Sequence, residues 1–154
     1  MLKVGAPAPA FLAPSAGGPL VSMASLRGRI VVLYFFRKAF TRNCTVETKG
    51  FRDNYDELRA LDAEVVGVST DDVSTQCKFA SELGVKFPMI ADRDRAISRA
   101  YDVFFLLLPV VHRVTYVVDR RGIVAGVFNH EFQVVRHLDE VLHFVRELAS
   151  RAPG

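Results

Sequence analysis

The sequence predicts one α/β domain over residues 1–154, a mixed β-sheet flanked by helices. Three observations predict it. Apolar runs of strand length alternate with segments of helical period, the pattern of strands linked by crossover helices. The last two strand-like runs are joined by a four-residue turn, which makes that pair antiparallel. The chain has 154 residues, half of them hydrophobic and 24% charged, enough to bury a core without disulfide or metal staples.

The elements follow in order. The first 28 residues hold four Gly and four Pro and read as a loop-rich entry with a short hairpin near Leu20–Met23. Ile30 to Phe36 is an unbroken apolar run, a strand buried on both faces. From Thr45 to Leu61, Phe51, Tyr55, Leu58 and Leu61 recur at helical spacing, which predicts one amphipathic helix. Glu64 to Ser69 is a second buried strand. Thr70 and Asp71 offer N-caps for a helix that runs to Leu83 and stops at Gly84.

Phe87 to Ala91 is a short strand, and Pro88 places it at an edge or at its own first residue. Arg93 to Tyr101 is a short helix. Val114–Val118 and Ile123–Phe128 form a hairpin around Asp119-Arg120-Arg121-Gly122. A last helix, Gln133 to Ala149, carries Val134, Leu138, Val141, Val145 and Leu148 on one face. There is no internal repeat, low-complexity tract or linker.

Composition narrows the function. Twenty basic against seventeen acidic residues give a net charge of +3, which does not point to a nucleic-acid partner. The longest apolar run, Val103 to Val111, has nine residues and contains Pro109, too short for a membrane span. The N-terminal stretch is broken by Pro7, Pro9 and Pro14 and does not read as a signal peptide. A reducing, cytoplasmic setting is the expectation. Two cysteines, Cys44 and Cys77, exclude a disulfide-rich scaffold and a four-cysteine zinc site. No P-loop or Gly-x-Gly-x-x-Gly pattern supports a nucleotide, and no metal is expected.

The four histidines invite a hydrolase or metal reading, which their spacing does not support. His137 and His143 are six apart, on different faces of a helix; His130 follows a strand; His112, beside Arg113, lies near the rim of any pocket there.

Cys44 follows the first buried strand and opens the first long helix. A helix N-terminus carries partial positive charge and unpaired N–H groups, so a thiolate is stabilised there. Arg37, Lys38 and Arg42 add cations nearby. On position alone, Cys44 is either a reactive thiol or an inert buried one.

The neighbourhood adds to this. The stretch from Val31 to Asp53, with Thr41, Cys44, Glu47 and Gly50-Phe51-Arg52-Asp53, resembles the active-site region of peroxiredoxins, in particular the PrxQ or bacterioferritin-comigratory type. The likeness extends to Lys3–Phe11, Leu26-Arg27-Gly28, Phe87-Pro88 with Asp92, and Arg113–Asp119 with Gly122. It covers nearly the whole chain in one order.

The resemblance implies a thioredoxin-like fold with a peroxiredoxin-type N-terminal extension. It implies a thiol peroxidase for hydrogen peroxide and organic hydroperoxides, with Cys44 forming a sulfenic acid. Thr41 then holds peroxide and thiolate, Arg113 is the distal cation, and the backbone of Asn43 and Cys44 supplies donors. Asn43, Glu47 and Arg37 fall at the substrate-binding rim. No cofactor is needed, because sulfur is the redox centre.

Two positions depart from the family pattern. Its loop proline is Arg37 here, and the position of a resolving cysteine five residues after Cys44 is Lys49. Cys77, 33 residues on, matches members whose resolving cysteine sits in the next helix; the other reading is a cysteine on that helix's core side. A thioredoxin-type dithiol restores both thiols. Val103–Val111 is either a loop folded over the core or the face of a weak homodimer. A second functional reading is a thioredoxin-fold redox-sensing or binding module with little turnover. A thiol–disulfide oxidoreductase lacks its Cys-x-x-Cys.

Overall fold

The structure is a computed structural model that describes residues 1–105, 110–111, 113–129 and 133–151. Strands β1 (Leu12–Pro14) and β2 (Leu20–Ser22) pair antiparallel and form the expected hairpin, wider than the sequence indicates. A turn of 3-10 helix, Ala24–Leu26, leads to β3 (Ile30–Phe35). Helices α1 (Arg42–Asp53) and α2 (Tyr55–Ala60) precede β4 (Ala63–Ser69). Then come α3 (Val73–Leu83), β5 (Met89–Ala91) and α4 (Ala96–Ala100). The two-residue pieces β6 (Phe104–Phe105) and β7 (Val110–Val111) pair with each other. The chain continues through β8 (Val114–Val118) and β9 (Val124–Asn129) to α5 (Val134–Ser150).

The central sheet has the order β5-β4-β3-β8-β9. β3 pairs parallel with β4 and β4 with β5; β3–β8 and β8–β9 are antiparallel. β5 is the edge strand that Pro88 predicts, and Ser15 bridges to its Ile90. β3 and β4 are buried along their whole length, which is why they read as unbroken apolar runs. Alternate residues of β3 feed two cores. Ile30, Val32 and Tyr34 meet Phe51, Leu58, Phe79, Leu138 and Val141 of the α1, α2, α3 and α5 layer. Val31, Leu33 and Phe35 meet Ile97, Tyr101 and the N-terminal segment. Among the described residues, no helix is long and apolar enough to cross a membrane.

Three sequence expectations are corrected. The single helix Thr45–Leu61 is two helices that meet at Asn54, whose backbone leaves the helical region (φ −104°, ψ 7°) while its side chain donates to the Gly50 carbonyl at 2.8 Å. The N-cap of α3 is neither Thr70 nor Asp71 but Asp72, whose carboxylate accepts from Thr75 N–H at 2.8 Å. The Asp71 carboxylate is taken instead by Ala39 N–H and the Ser69 hydroxyl, both at 2.8 Å. Finally, Val103 is buried in the core and is no part of an exposed apolar face. Of the rest of that segment, residues 106–109 lie outside the described residues, as do His112 and His130. Gly84 does end α3, in the left-handed conformation with φ 65°.

Candidate active site

β3 runs into a loop, residues 36–41, that delivers the chain to α1. The loop is tied to α3 and its entry. Ala39 donates to Asp71, and the Phe40 ring meets Phe79 of α3 edge-on, centroids 5.1 Å apart. Phe40 itself holds a positive φ of 67°, uncommon for a bulky residue, and reverses the chain there. Thr41 stands at the N-cap of α1. Its hydroxyl donates back to the Lys38 carbonyl at 2.7 Å instead of capping the helix. The first intrahelical bond runs from Thr45 N–H to Thr41 O. The N–H groups of Arg42, Asn43 and Cys44 therefore have no partner within the helix and create a partly positive end. Cys44 lies in this first turn and is only 1% exposed.

Sheet register brings Arg113 to the same place. Val114 of β8 pairs with Phe35 of β3, so Arg113, one residue earlier, stands at the strand end from which the Cys44 loop departs. Its Nη2 donates to Cys44 Sγ at 3.5 Å and its Nη1 to Glu47 Oε1 at 2.9 Å. Glu47 follows Cys44 by one helical turn and so shares its face of α1. Glu47 is wholly buried and Arg113 nearly so. Burial pushes the Glu47 carboxyl up to about 7, and the Arg113 charge and hydrogen bond offset only part of that rise.

Two further residues complete the surroundings of Glu47. Its Oε2 is 3.4 Å from His137 Nε2, and that nitrogen is 2.6 Å from Thr115 Oγ1. On the next residue of α1, Thr48 Oγ1 is 3.1 Å from the Tyr34 hydroxyl. The sequence reading gave no role to His137, Thr115 or Tyr34. A signal existed for the first: His137 falls between Val134 and Val141 on the apolar stripe of α5, a face where an imidazole needs a partner. Thr115 of β8 is two residues after Arg113, which immediately precedes that strand, and so faces the same side of the sheet.

The structure thus brings Cys44, Glu47 and Arg113 together. Thr41 is exposed and Asn43 half-buried, both at the start of α1, and Arg37 is exposed on the preceding loop. Glu47, expected at the substrate rim, instead lies sealed behind Arg113, because helical spacing turns it into the core. Cys77 is half-buried on α3, next to the core-facing Gln76 and Phe79. It opens onto a depression of about 390 Å3 shared with Ala16, Gly17, Ala80 and Val85. Both cysteines are free thiols. Among the described residues, no group of three His, Cys, Asp or Glu side chains is placed to hold a metal.

The chemistry open to this arrangement is that of a buried sulfur nucleophile. A fixed guanidinium and a helix N-terminus converge on the sulfur, and neither has to reorganise as charge moves onto an attacked oxygen.

Comparison with known proteins points the same way. The model of the AhpC/TSA family matches residues 4–127. Peroxiredoxin Bcp of Escherichia coli K12 is 33% identical over 154 residues, covering 96% of this chain and 98% of that protein. The crystal structure of peroxidoxin BcpB from Mycobacterium tuberculosis superposes with a TM-score of 0.89 at 32% identity, covering 99% of this chain and all of that one. A structure of the Xanthomonas campestris bacterioferritin comigratory protein, from work on its alkyl peroxide reduction activity, superposes with a TM-score of 0.85 at 27% identity, covering 91% and 92%. The mixed sheet and its helices are the thioredoxin-like arrangement of these structures.

Proposed function

The chain belongs to the AhpC/TSA family and is a peroxiredoxin, a thiol-dependent peroxidase; from that premise we propose that Cys44 is its peroxidatic nucleophile and Arg113 the residue that activates it. A redox-sensing module without turnover is not favoured. The observation that carries the assignment is the Arg113 Nη2 to Cys44 Sγ contact of 3.5 Å at a buried helix N-terminus.

The Cys44 thiolate attacks one oxygen of hydrogen peroxide or an organic hydroperoxide. An S–O bond forms, the O–O bond breaks, and the second oxygen takes a proton and leaves as water or an alcohol. Arg113 and the N–H groups of Asn43 and Cys44 face the charge that moves across the two oxygens. The Thr41 hydroxyl has acceptor capacity left for the incoming peroxide after donating to Lys38. Glu47 holds Arg113 in place, and Arg37 adds positive charge at the entrance.

Cys77 is the resolving thiol in this reading. Its sulfur attacks the Cys44 sulfenic acid, an S–S bond forms, and water leaves. Two helical thiols meet only if the ends of α1 and α3 open locally. A thioredoxin-type dithiol then exchanges with the disulfide and returns both thiols. The chain acts as one domain in a reducing compartment such as the cytoplasm, as a monomer or a weak homodimer.

The test is intact mass and free-thiol count after one equivalent of hydrogen peroxide, for the natural protein and Cys77→Ser. Loss of both thiols in the former and a gain of one oxygen in the latter is the expected pair. A natural protein that keeps both thiols overturns the assignment of Cys44. A Cys77→Ser protein that still forms an intramolecular cross-link overturns that of Cys77.

A further inference from the structure

Behind Cys44 and Arg113, Glu47 faces a second titratable group that the reaction above does not use. His137 is wholly buried. Its Nε2 is 3.4 Å from Glu47 Oε2, the other Glu47 oxygen accepts from Arg113 at 2.9 Å, and Arg113 reaches Cys44 at 3.5 Å. Imidazole, carboxylate, guanidinium and sulfur form one buried row. Counting these four groups alone, with Cys44 and Glu47 ionised and Arg113 charged, the row sums to one negative charge, which burial disfavours. A single proton on Glu47 or His137 removes it. That proton gives either a neutral carboxyl beside a neutral imidazole or a carboxylate beside an imidazolium.

We propose that His137 is a positioning residue: with Glu47 it holds one proton, and loss of that proton commits the Arg113 guanidinium to Glu47 at the expense of the Cys44 sulfur. This rests on Cys44 being the nucleophile. Thr115 suits either form, since its hydroxyl donates to a bare Nε2 and accepts from a protonated one at the same 2.6 Å. Burial brings the Glu47 carboxyl up to about 7, so the exchange falls near neutral pH.

Among the described residues, the ionisable groups facing the pair are Arg113 before β8, Cys44 on α1 and Tyr34 on β3. Burial raises the Tyr34 hydroxyl well above its ordinary value, so it stays neutral. β9 carries no ionisable side chain from Val124 to Asn129. On α1 and α5, Arg42, Lys49, Arg52, Asp53, Arg136, Asp139, Glu140, His143, Arg146 and Glu147 are exposed or half-exposed.

The experiment follows the His137 ring and the Glu47 carboxyl carbon by NMR in the reduced full-length protein, from about pH 5 to about pH 9. In parallel, the rate of Cys44 alkylation by iodoacetamide is read by peptide mass spectrometry over the same range. Both resonances are expected to shift in one common step near pH 7, with a step at the same pH in the alkylation profile. In His137→Gln the midpoint of the alkylation step moves by about one pH unit or more. Thr115→Val moves it in the same way by less.

Separate steps for the two resonances, a ring that does not shift, or a His137→Gln protein slowed equally at every pH overturns the proposal. Should His137→Gln not fold, the resonances of the natural protein decide alone. Alkylation without reaction toward hydrogen peroxide sinks the peroxidase assignment and leaves this test intact.

Discussion

The Arg113 guanidinium lies 3.5 Å from the Cys44 sulfur, although 69 positions separate the two residues in the chain. Neither can turn away cheaply. Arg113 is held by a buried carboxylate on the helix that carries Cys44, and Cys44 sits in the first turn of that helix. The pair is fixed by the β3–β8 register on one side and by one turn of α1 on the other. Its donors are oriented before any peroxide arrives, which is the condition for electrostatic help in a transition state.

Arg113→Met is expected to slow peroxide reduction by about 10²- to 10³-fold, the usual cost of losing a preorganised donor. It also leaves Glu47 buried without its partner, at about 3–5 kcal/mol if the carboxylate stays charged. Because Glu47 can take up a proton, the stability loss is smaller at low pH. Arg113→Lys keeps the charge but loses the fork that serves Glu47 and Cys44 together, and falls between the two. Stopped-flow peroxide consumption and urea unfolding at two pH values measure both effects. A peroxide rate within twofold of the natural protein's for Arg113→Met contradicts the assignment.

Glu47 sets a pH dependence of stability with a definite sign. Its carboxyl is raised from an ordinary 4.5 to about 7 in the folded protein. The folded state therefore prefers the proton, so this contribution is fully present below about 4.5 and lost as pH rises through about 7. Glu47→Gln removes the titration. The stability difference between variant and natural protein is expected to move in the variant's favour from pH 4.5 to above pH 7. Urea midpoints across that window give the answer, and a difference that stays flat or moves the other way contradicts it.

The α3 cap offers a test of the proposed resolving step. Asp72 accepts from Thr75 N–H at 2.8 Å, one turn before Cys77. Asp72→Ala weakens the first turn of α3 by about 0.5–2 kcal/mol. If the disulfide needs that turn to open, conversion of the Cys44 sulfenic acid to the disulfide is expected to speed up about 2- to 30-fold while sulfenic acid formation stays unchanged. Rapid quench followed by mass spectrometry separates the steps. Equal disulfide rates in the two proteins show that α3 opening does not limit resolution.

Much of this was legible before any coordinates. β3 and β4 announce themselves because both faces are covered, and the α5 stripe because five apolar residues keep one face. Helical spacing sets Glu47 one turn from Cys44, yet the sequence reading places it at the substrate rim and the structure behind Arg113. Arg113 could not be placed from spacing: its approach depends on strand register, and only a family resemblance singles it out. Local competition was hidden too. Asn54 interrupts a periodic helix by leaving the helical region, and Asp71 gives up the cap position because the Cys44 loop needs its carboxylate. His137 was read by its spacing from other histidines, whereas its place on an apolar stripe was the informative feature.

A close approach under the site supplies a final prediction. A Cβ on Gly67 of β4 would lie 2.7 Å from the Met89 sulfur and 2.8 Å from the Tyr34 hydroxyl and ring carbon. Tyr34 is wholly buried and its hydroxyl meets Thr48, the neighbour of Glu47 on α1. Gly67→Ala must therefore push a packed ring toward the helix that carries Cys44. The expected cost is about 1–3 kcal/mol, only partly offset by the stiffer unfolded chain. The control is Gly126→Ala on β9, where the crowded atoms belong to the Phe144 and Phe128 rings at 2.9–3.0 Å. Both variants are expected to unfold at lower urea. Only Gly67→Ala is expected to slow Cys44 alkylation under conditions where both are folded, because only its displaced ring is hydrogen-bonded to α1. Equal alkylation rates in the two variants show that the Tyr34–Thr48 contact does not transmit strain to the site.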